Sequence, residues 1–142
     1  MRSARLAGGS VLVLVWALLA CDGDAPSAPS EALTGITWQL QAFQTVDEGR
    51  IAVPQPERYT LLFATDGGLD VRADCNTCVG SYRATSVALT IDPALACTEA
   101  YCGDDSLDFK YLEALGSVST YALPEDALRL HYAHGTLWFS AR

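Results

Sequence analysis

The sequence predicts an α+β fold, in which an antiparallel sheet of about eight strands curls into a small, partly open barrel with one helix inserted late in the domain. Two observations support this prediction. Short segments between residues 36 and 141 alternate apolar and polar residues with the period of a half-buried strand, and turn residues separate them. One later segment repeats its large apolar residues every four positions, which is the period of a helix.

The predicted strands follow one another at the spacing typical of an antiparallel sheet or small barrel. In the first of them, Trp38 and Leu40 share one face, and the sequence Asp66, Gly67, Gly68 predicts a hairpin turn after the second. The eight segments are ITWQLQAF (36–43), RYTLLFAT (58–65), LDVRA (69–73), GSYRA (80–84), VALTID (87–92), VSTYAL (118–123), ALRLHY (127–132) and TLWFSA (136–141).

The predicted helix lies in DDSLDFKYLEALG, residues 104–116. Leu107, Tyr111 and Leu115 recur at steps of four and form one apolar face. We expect one of the three polar residues before Leu107 (Asp104, Asp105 or Ser106) to cap the start of the helix, and Gly116 to end it.

The first 20 residues have the layout of a secretory signal peptide: Arg2 and Arg5, then a short apolar run, then small residues. The end of the run, LLAC, resembles the lipobox of bacterial lipoproteins, which implies that Cys21 is lipidated and becomes the N-terminus. Residues 21–32 then form a flexible linker rich in Pro, Ser and small residues. We therefore expect the protein to be anchored to the membrane through its N-terminal lipid.

Residues 33–142 are long enough for one domain. Without Arg2 and Arg5, seven basic residues remain against 17 acidic residues, so the net charge changes from −8 to about −10. This charge disfavours nucleic acid as a partner. We expect a monomer in the bacterial cell envelope, facing the periplasm or the cell surface.

The four cysteines of the domain allow three kinds of site. The CxxC at Cys75 and Cys78, followed by Cys97 and Cys102, comes near a four-cysteine zinc spacing. The same CxxC could act as a redox dithiol, although the residues after Cys78 read as a strand and redox motifs start a helix. An exported chain favours structural disulfides, for which four cysteines allow three pairings.

The order of motifs along residues 33–142 resembles the META domain family. LTGITWQL, TLLF, the Cys75-Asn76 pair with the later Gly80 and Tyr82, LACTEAYC and LRLHYAHGTLWF stand where that family has its motifs. Glu99 replaces an arginine of the family pattern, while Cys78 and Cys97 replace an aromatic and an apolar residue. The resemblance implies a pair between the family's own cysteines, Cys75 with Cys102, and hence a second pair, Cys78 with Cys97.

The family's biochemical role is poorly defined, and it includes a lipoprotein linked to heat shock and antibiotic resistance. The resemblance therefore implies a non-catalytic binding or scaffold domain in envelope stress or antibiotic tolerance, with a thiol–disulfide redox protein as the alternative. The expected partner is an envelope protein or a small apolar ligand. We place a possible binding loop at Asn76 and Tyr101, because paired cysteines would hold it rigid.

The remaining candidate residues favour ordinary structural roles. His131 and His134 read as exposed turn residues, and Asp66, Asp70 and Asp74 as a solvated edge. We expect most of the large aromatic residues to fill the core: Trp38, Tyr59, Phe63, Tyr82, Trp138 and Phe139. The sequence places no nucleophile, base and acid together, so it predicts no catalytic residues, no metal site and no cofactor.

Overall fold

The computed structural model describes residues 31–142, so the predicted signal peptide, Cys21 and nearly all of the linker lie outside the described residues. The elements are β1 (Thr37–Thr45), β2 (Gly49–Ala52), β3 (Tyr59–Phe63), β4 (Gly68–Ala73), β5 (Asn76–Ala84), β6 (Leu89–Ile91), β7 (Ala96–Cys97), α1 (Asp108–Leu115), β8 (Thr120–Ala122), β9 (Ala127–Tyr132) and β10 (Gly135–Ala141), with a 3₁₀ turn at Pro56–Arg58 before β3. No helix within residues 31–142 has the length and apolar character needed to cross a membrane.

Eight of the strands form one continuous path in the order β6, β5, β4, β3, β1, β10, β9, β8, and every strand pair is antiparallel. The two ends of this path approach each other. The Leu89 amide donates to the Ser119 carbonyl at 3.1 Å, and the Tyr121 amide donates to the Val87 carbonyl at 3.1 Å. The sheet is therefore a nearly closed barrel of eight strands with one seam, between β6 and β8, and the predicted fold class is confirmed.

The barrel interior is filled by the inward-facing side chains of alternate strand positions. Trp38, Leu40, Leu61 and Phe63 are each at most 2% exposed. Phe63 and Tyr82 meet edge to face at 4.8 Å between ring centroids, a favoured aromatic geometry. Five of the six aromatic residues expected in the core are buried, whereas Trp138 lies half-buried on the outer face.

Helix α1 covers the barrel end formed by the start of β3 and the end of β4. Its residue Tyr111 is fully buried, and its ring packs edge to face on Tyr59 at 5.8 Å and against Phe139 at 6.3 Å. The helix ends before Gly116 as predicted, but its N-cap residue is Leu107 and makes no side-chain capping bond. The N-cap therefore lies one residue after the predicted candidates, but the Ser106 hydroxyl does accept from the amide of Asp108, the first helical residue, at 3.2 Å.

Two short strands were not predicted, and both pair with a single neighbour. Strand β2 pairs with β1, and β7 pairs with β5, where Cys97 lies opposite Cys78. The segment from Asn76 to Ala84 is one long strand, so Asn76 and Cys78 belong to β5 and not to a loop.

Candidate functional site

The four cysteines of the domain lie where β5 meets the segment before α1. The structure bonds Cys75 to Cys102 and Cys78 to Cys97, with Cα atoms 5.5 Å and 4.0 Å apart respectively. These are the two pairs that the family resemblance implies. Cys75 and Cys78 are not bonded to each other, and Cys78 lies inside a strand, so the CxxC does not have the arrangement of a redox dithiol at a helix start.

Both disulfides hold the same segment, residues 98–107, which we call the bridged loop. Cys97 precedes it at the end of β7, and Cys102 lies within it. At the C-terminal end of the loop, the amide of Leu107 donates to the Tyr59 hydroxyl at 3.0 Å. The loop is therefore attached to the barrel by two covalent bonds and, at its end, by a hydrogen bond.

Asn76 makes the densest set of polar contacts to the bridged loop. Its Oδ1 accepts from the Thr98 hydroxyl at 2.9 Å and from the Ala100 amide at 2.8 Å. Its Nδ2 donates to the Ala100 carbonyl at 2.9 Å and also lies 3.3 Å from Asp108 Oδ2 and from Cys102 Sγ. Asn76 is only 5% exposed, so it supports the loop from beneath and cannot be the contact residue that the sequence suggested.

Tyr101 is the residue that the bridged loop presents to solvent. It is 80% exposed, and its hydroxyl donates to the Asp104 carboxylate within the same loop. This hydrogen bond raises the pKa of Tyr101, because the protonated hydroxyl is the form that donates. The ring is therefore neutral and held in one orientation on a fixed backbone.

Asp74 is a site residue that the sequence reading missed. It was expected on a solvated edge, but it is 2% exposed and occupies the left-handed backbone region, with φ of 62°, in the two-residue turn between β4 and β5. Its carboxylate forms an ion pair with Arg58 and accepts from the Tyr59 hydroxyl at 3.1 Å. The sequence did contain one signal of its turn conformation. Asp74 follows a predicted strand, and aspartate tolerates the left-handed backbone region of a tight turn better than most residues do.

A cleft of about 610 Å³ opens beside the bridged loop. Its lining is mixed, with apolar groups such as Pro54 and Leu107 beside four charged side chains: Arg58, Asp74, Asp104 and Asp105. Its volume is in the range of small-molecule sites, but four charged side chains are more than is usual in a site for an apolar ligand.

The histidines lie away from this region. Both are exposed, but His131 is in strand β9 and not in a turn, with its Nδ1 3.0 Å from Thr136 Oγ1. Among the described residues, no carboxylate forms an ion pair with either histidine, and no group of three or more metal-binding side chains occurs. The His131–Thr136 pair therefore lacks the acid that orients the base in known nucleophilic sites.

Comparison with protein-family models gives a match to the META domain over residues 31–142. The chain belongs to the META domain family. The bridged loop and Asn76 therefore lie inside its META domain, in the region where the family's cysteine motifs were recognised.

Solved structures share the fold of this META domain. An NMR structure of a protein from Burkholderia xenovorans is 23% identical, covers 83% of this chain and 90% of its own, and has a TM-score of 0.66. A crystal structure of a DUF4847 family protein from Bacteroides vulgatus is 14% identical, covers 76% of this chain and 93% of its own, and has a TM-score of 0.55. No curated protein matches the sequence significantly.

Proposed function

We propose that this protein is a non-catalytic, lipid-anchored component of the bacterial cell envelope, and that its META domain is a binding or scaffold module for another envelope protein. The contact surface is the bridged loop. The observation that carries this proposal is the presence of an exposed aromatic residue, Tyr101, on a loop that two disulfides and Asn76 hold in place. A preordered aromatic residue loses little entropy on binding, which is why such residues dominate binding energy.

A protein partner fits the site better than a small apolar ligand. Five of the six aromatic side chains that could have lined an apolar cavity fill the barrel interior, and four charged side chains line the cleft beside the bridged loop. The lipid anchor rests on the lipobox-like sequence before Cys21, and envelope stress or antibiotic tolerance is the setting that the family suggests.

Site-specific photocrosslinking in the intact envelope tests the contact surface. A photoreactive amino acid replaces Tyr101 in one variant and Val46, which is 94% exposed in the β1–β2 turn, in a control variant. We expect a defined adduct from position 101 that is absent from position 46. Identical adducts from both positions, or no adduct from position 101, would contradict the proposal.

The lipid anchor is tested separately with Cys21→Ser, which removes the thiol that is acylated. We expect the wild-type chain to sediment with membranes and Cys21→Ser to lose this association. Membrane association that survives the substitution would argue against the anchor. Thiol counting with mass mapping on the same wild-type material distinguishes structural disulfides from the redox alternative. Two stable bridges that each join Cys75 or Cys78 to Cys97 or Cys102 would exclude the alternative, which requires a reducible bond between Cys75 and Cys78.

A further inference from the structure

Two exposed aromatic side chains, at positions 101 and 109, each follow a residue that contacts Asn76. Tyr101 is 80% exposed and Phe109 is 79% exposed, whereas the other large, exposed apolar residues of the described chain are aliphatic. The residues that precede them both contact Asn76 Nδ2. The carbonyl oxygen of Ala100, before Tyr101, lies 2.9 Å from this nitrogen, and Oδ2 of Asp108, before Phe109, lies 3.3 Å from it. We call Tyr101 and Phe109 the aromatic patch.

Hydrogen bonds hold the side chain of Tyr101 and the backbone at Phe109. The Tyr101 hydroxyl is bonded to Asp104, while the Phe109 amide donates to Asp108 Oδ1 at 2.7 Å in the first turn of α1. Burying such large rings in the core would be favourable, yet both face solvent on ordered backbone. Exposed aromatic residues on a fixed support are characteristic of protein contact surfaces.

The surroundings of the patch are acidic. Three exposed carboxylates, those of Glu99, Asp104 and Asp105, lie in or next to the turn that carries Tyr101, and none of them forms an ion pair within residues 31–142. The nearest basic residue along the chain, Lys110, lies within 3.7 Å of Glu48 in the β1–β2 turn. A partner therefore meets negative charge together with two aromatic faces.

We propose that the aromatic patch binds a positively charged segment of a partner protein, with Lys or Arg side chains resting on Tyr101 and Phe109 and their charges facing Glu99, Asp104 and Asp105. Cations are attracted to the faces of aromatic rings, and the adjacent carboxylates strengthen this attraction. This inference rests on the proposed function, since it names the chemistry of the partner at the same surface. An acidic or purely apolar partner would lose both contributions.

The test uses the full chain purified from membranes in detergent and two fluorescent peptides of equal length, one alternating Lys and Leu and one alternating Glu and Leu. Anisotropy titrations measure the affinity of each peptide. We expect the Lys–Leu peptide to bind and the Glu–Leu peptide not to bind. Tyr101→Ala and Phe109→Ala should each weaken binding about tenfold or more, as is usual for aromatic contact residues.

Matched variants separate the patch from the overall negative charge. Asp104→Asn combined with Asp105→Asn should weaken binding and reduce its dependence on salt. The control pair Asp47→Asn with Asp70→Asn removes the same charge from exposed positions elsewhere and should leave binding unchanged. Equal losses from the two pairs, or wild-type binding by Tyr101→Ala and Phe109→Ala, would overturn the inference, because binding would then follow net charge alone.

The crosslinking experiment distinguishes this inference from the proposed function. If position 101 captures a partner and peptide mapping places the adduct in a Lys- or Arg-rich segment, both are supported. If the captured segment is acidic or apolar, this inference fails and the proposed function stands. If position 101 captures nothing, the proposed function fails, and this inference fails with it whether or not the Lys–Leu peptide binds, because it names a partner at the same surface.

Discussion

Removing the two disulfides one at a time tests whether they act on a single segment. The bridges close 27 and 19 residues of sequence. Taken alone, each would remove unfolded-state entropy worth about 3.5 kcal/mol of stability. They are nested, however, and the Cys75–Cys102 bond already joins the chain three residues before Cys78 and five residues after Cys97. Each bridge therefore adds less when the other is present.

The chain-entropy estimate for nested loops gives the expected values. Cys78→Ala with Cys97→Ala should lower the free energy of unfolding by about 2 kcal/mol, and Cys75→Ala with Cys102→Ala by about 2.5 kcal/mol. Replacing all four cysteines should cost about 6 kcal/mol, more than the two separate losses together. A loss of that size approaches the whole stability of an ordinary domain, so we expect the four-fold variant to be largely unfolded.

Urea denaturation without reductant measures these losses, and mass mapping checks the remaining bond in each variant. The mismatched pair Cys75→Ala with Cys97→Ala is the control, because it leaves Cys78 and Cys102 without their partners and should show two free thiols. If the mismatched variant is as stable as the matched ones, or if a matched variant retains two free thiols, the pairing is refuted. Losses that simply add would refute the nested arrangement.

Three further substitutions test individual contacts, each followed by urea denaturation. Asn76→Ala removes three hydrogen bonds shorter than 3.0 Å to Thr98 and Ala100 and should cost about 2 to 3 kcal/mol, whereas Thr77→Ala at the next, exposed position should cost much less. Burial raises the pKa of Tyr111 well above 10.0, so the folded protein keeps a proton that the unfolded chain releases, and stability falls as pH rises above 10.0. Tyr111→Phe should reduce this decline and leave the smaller part that comes from Tyr82, Tyr101 and Tyr132, whose pKa values are also raised. Gly135→Ala would place a methyl group against the Gln44 carbonyl and should cost about 1 to 3 kcal/mol, with no loss indicating that the β1–β10 register differs.

The sequence predicted the barrel because its strands are half-buried. Trp38 and Leu40 on β1, and Tyr59, Leu61 and Phe63 on β3, alternate with less buried residues that are polar except for Leu62, and that alternation is fixed by the pleat of the strand. The helix was recognised for a similar reason, since its apolar period differs from that of a strand. Closure into a barrel was less certain from sequence, because it depends on hydrogen bonds between β6 and β8, which are distant in the chain.

The features that sequence did not reveal depend on partners far along the chain. All four residues of β2 are exposed, so the strand has no apolar alternation, and β7 has only two residues. The burial of Asp74 depends on Arg58 and Tyr59, 16 and 15 residues earlier. Asn76 is a similar case, since an asparagine that follows a turn is usually expected to be exposed. Only its hydrogen bonds with Thr98 and Ala100 make its burial favourable.

The bridged loop lacks the usual source of order in a protein of this size. From Asp92 to Lys110 no side chain is fully buried, so apolar burial offsets little of the backbone entropy, about 1 to 2 kcal/mol per residue, that ordering the loop costs. The two disulfides reduce this cost by restricting the unfolded chain, and Asn76 supplies hydrogen bonds where a core would supply contacts. A loop that served only as a connection would not need this support. Order at this position is therefore better explained by what the loop presents, an exposed Tyr101 among carboxylates that form no ion pair within residues 31–142, than by the stability of the barrel.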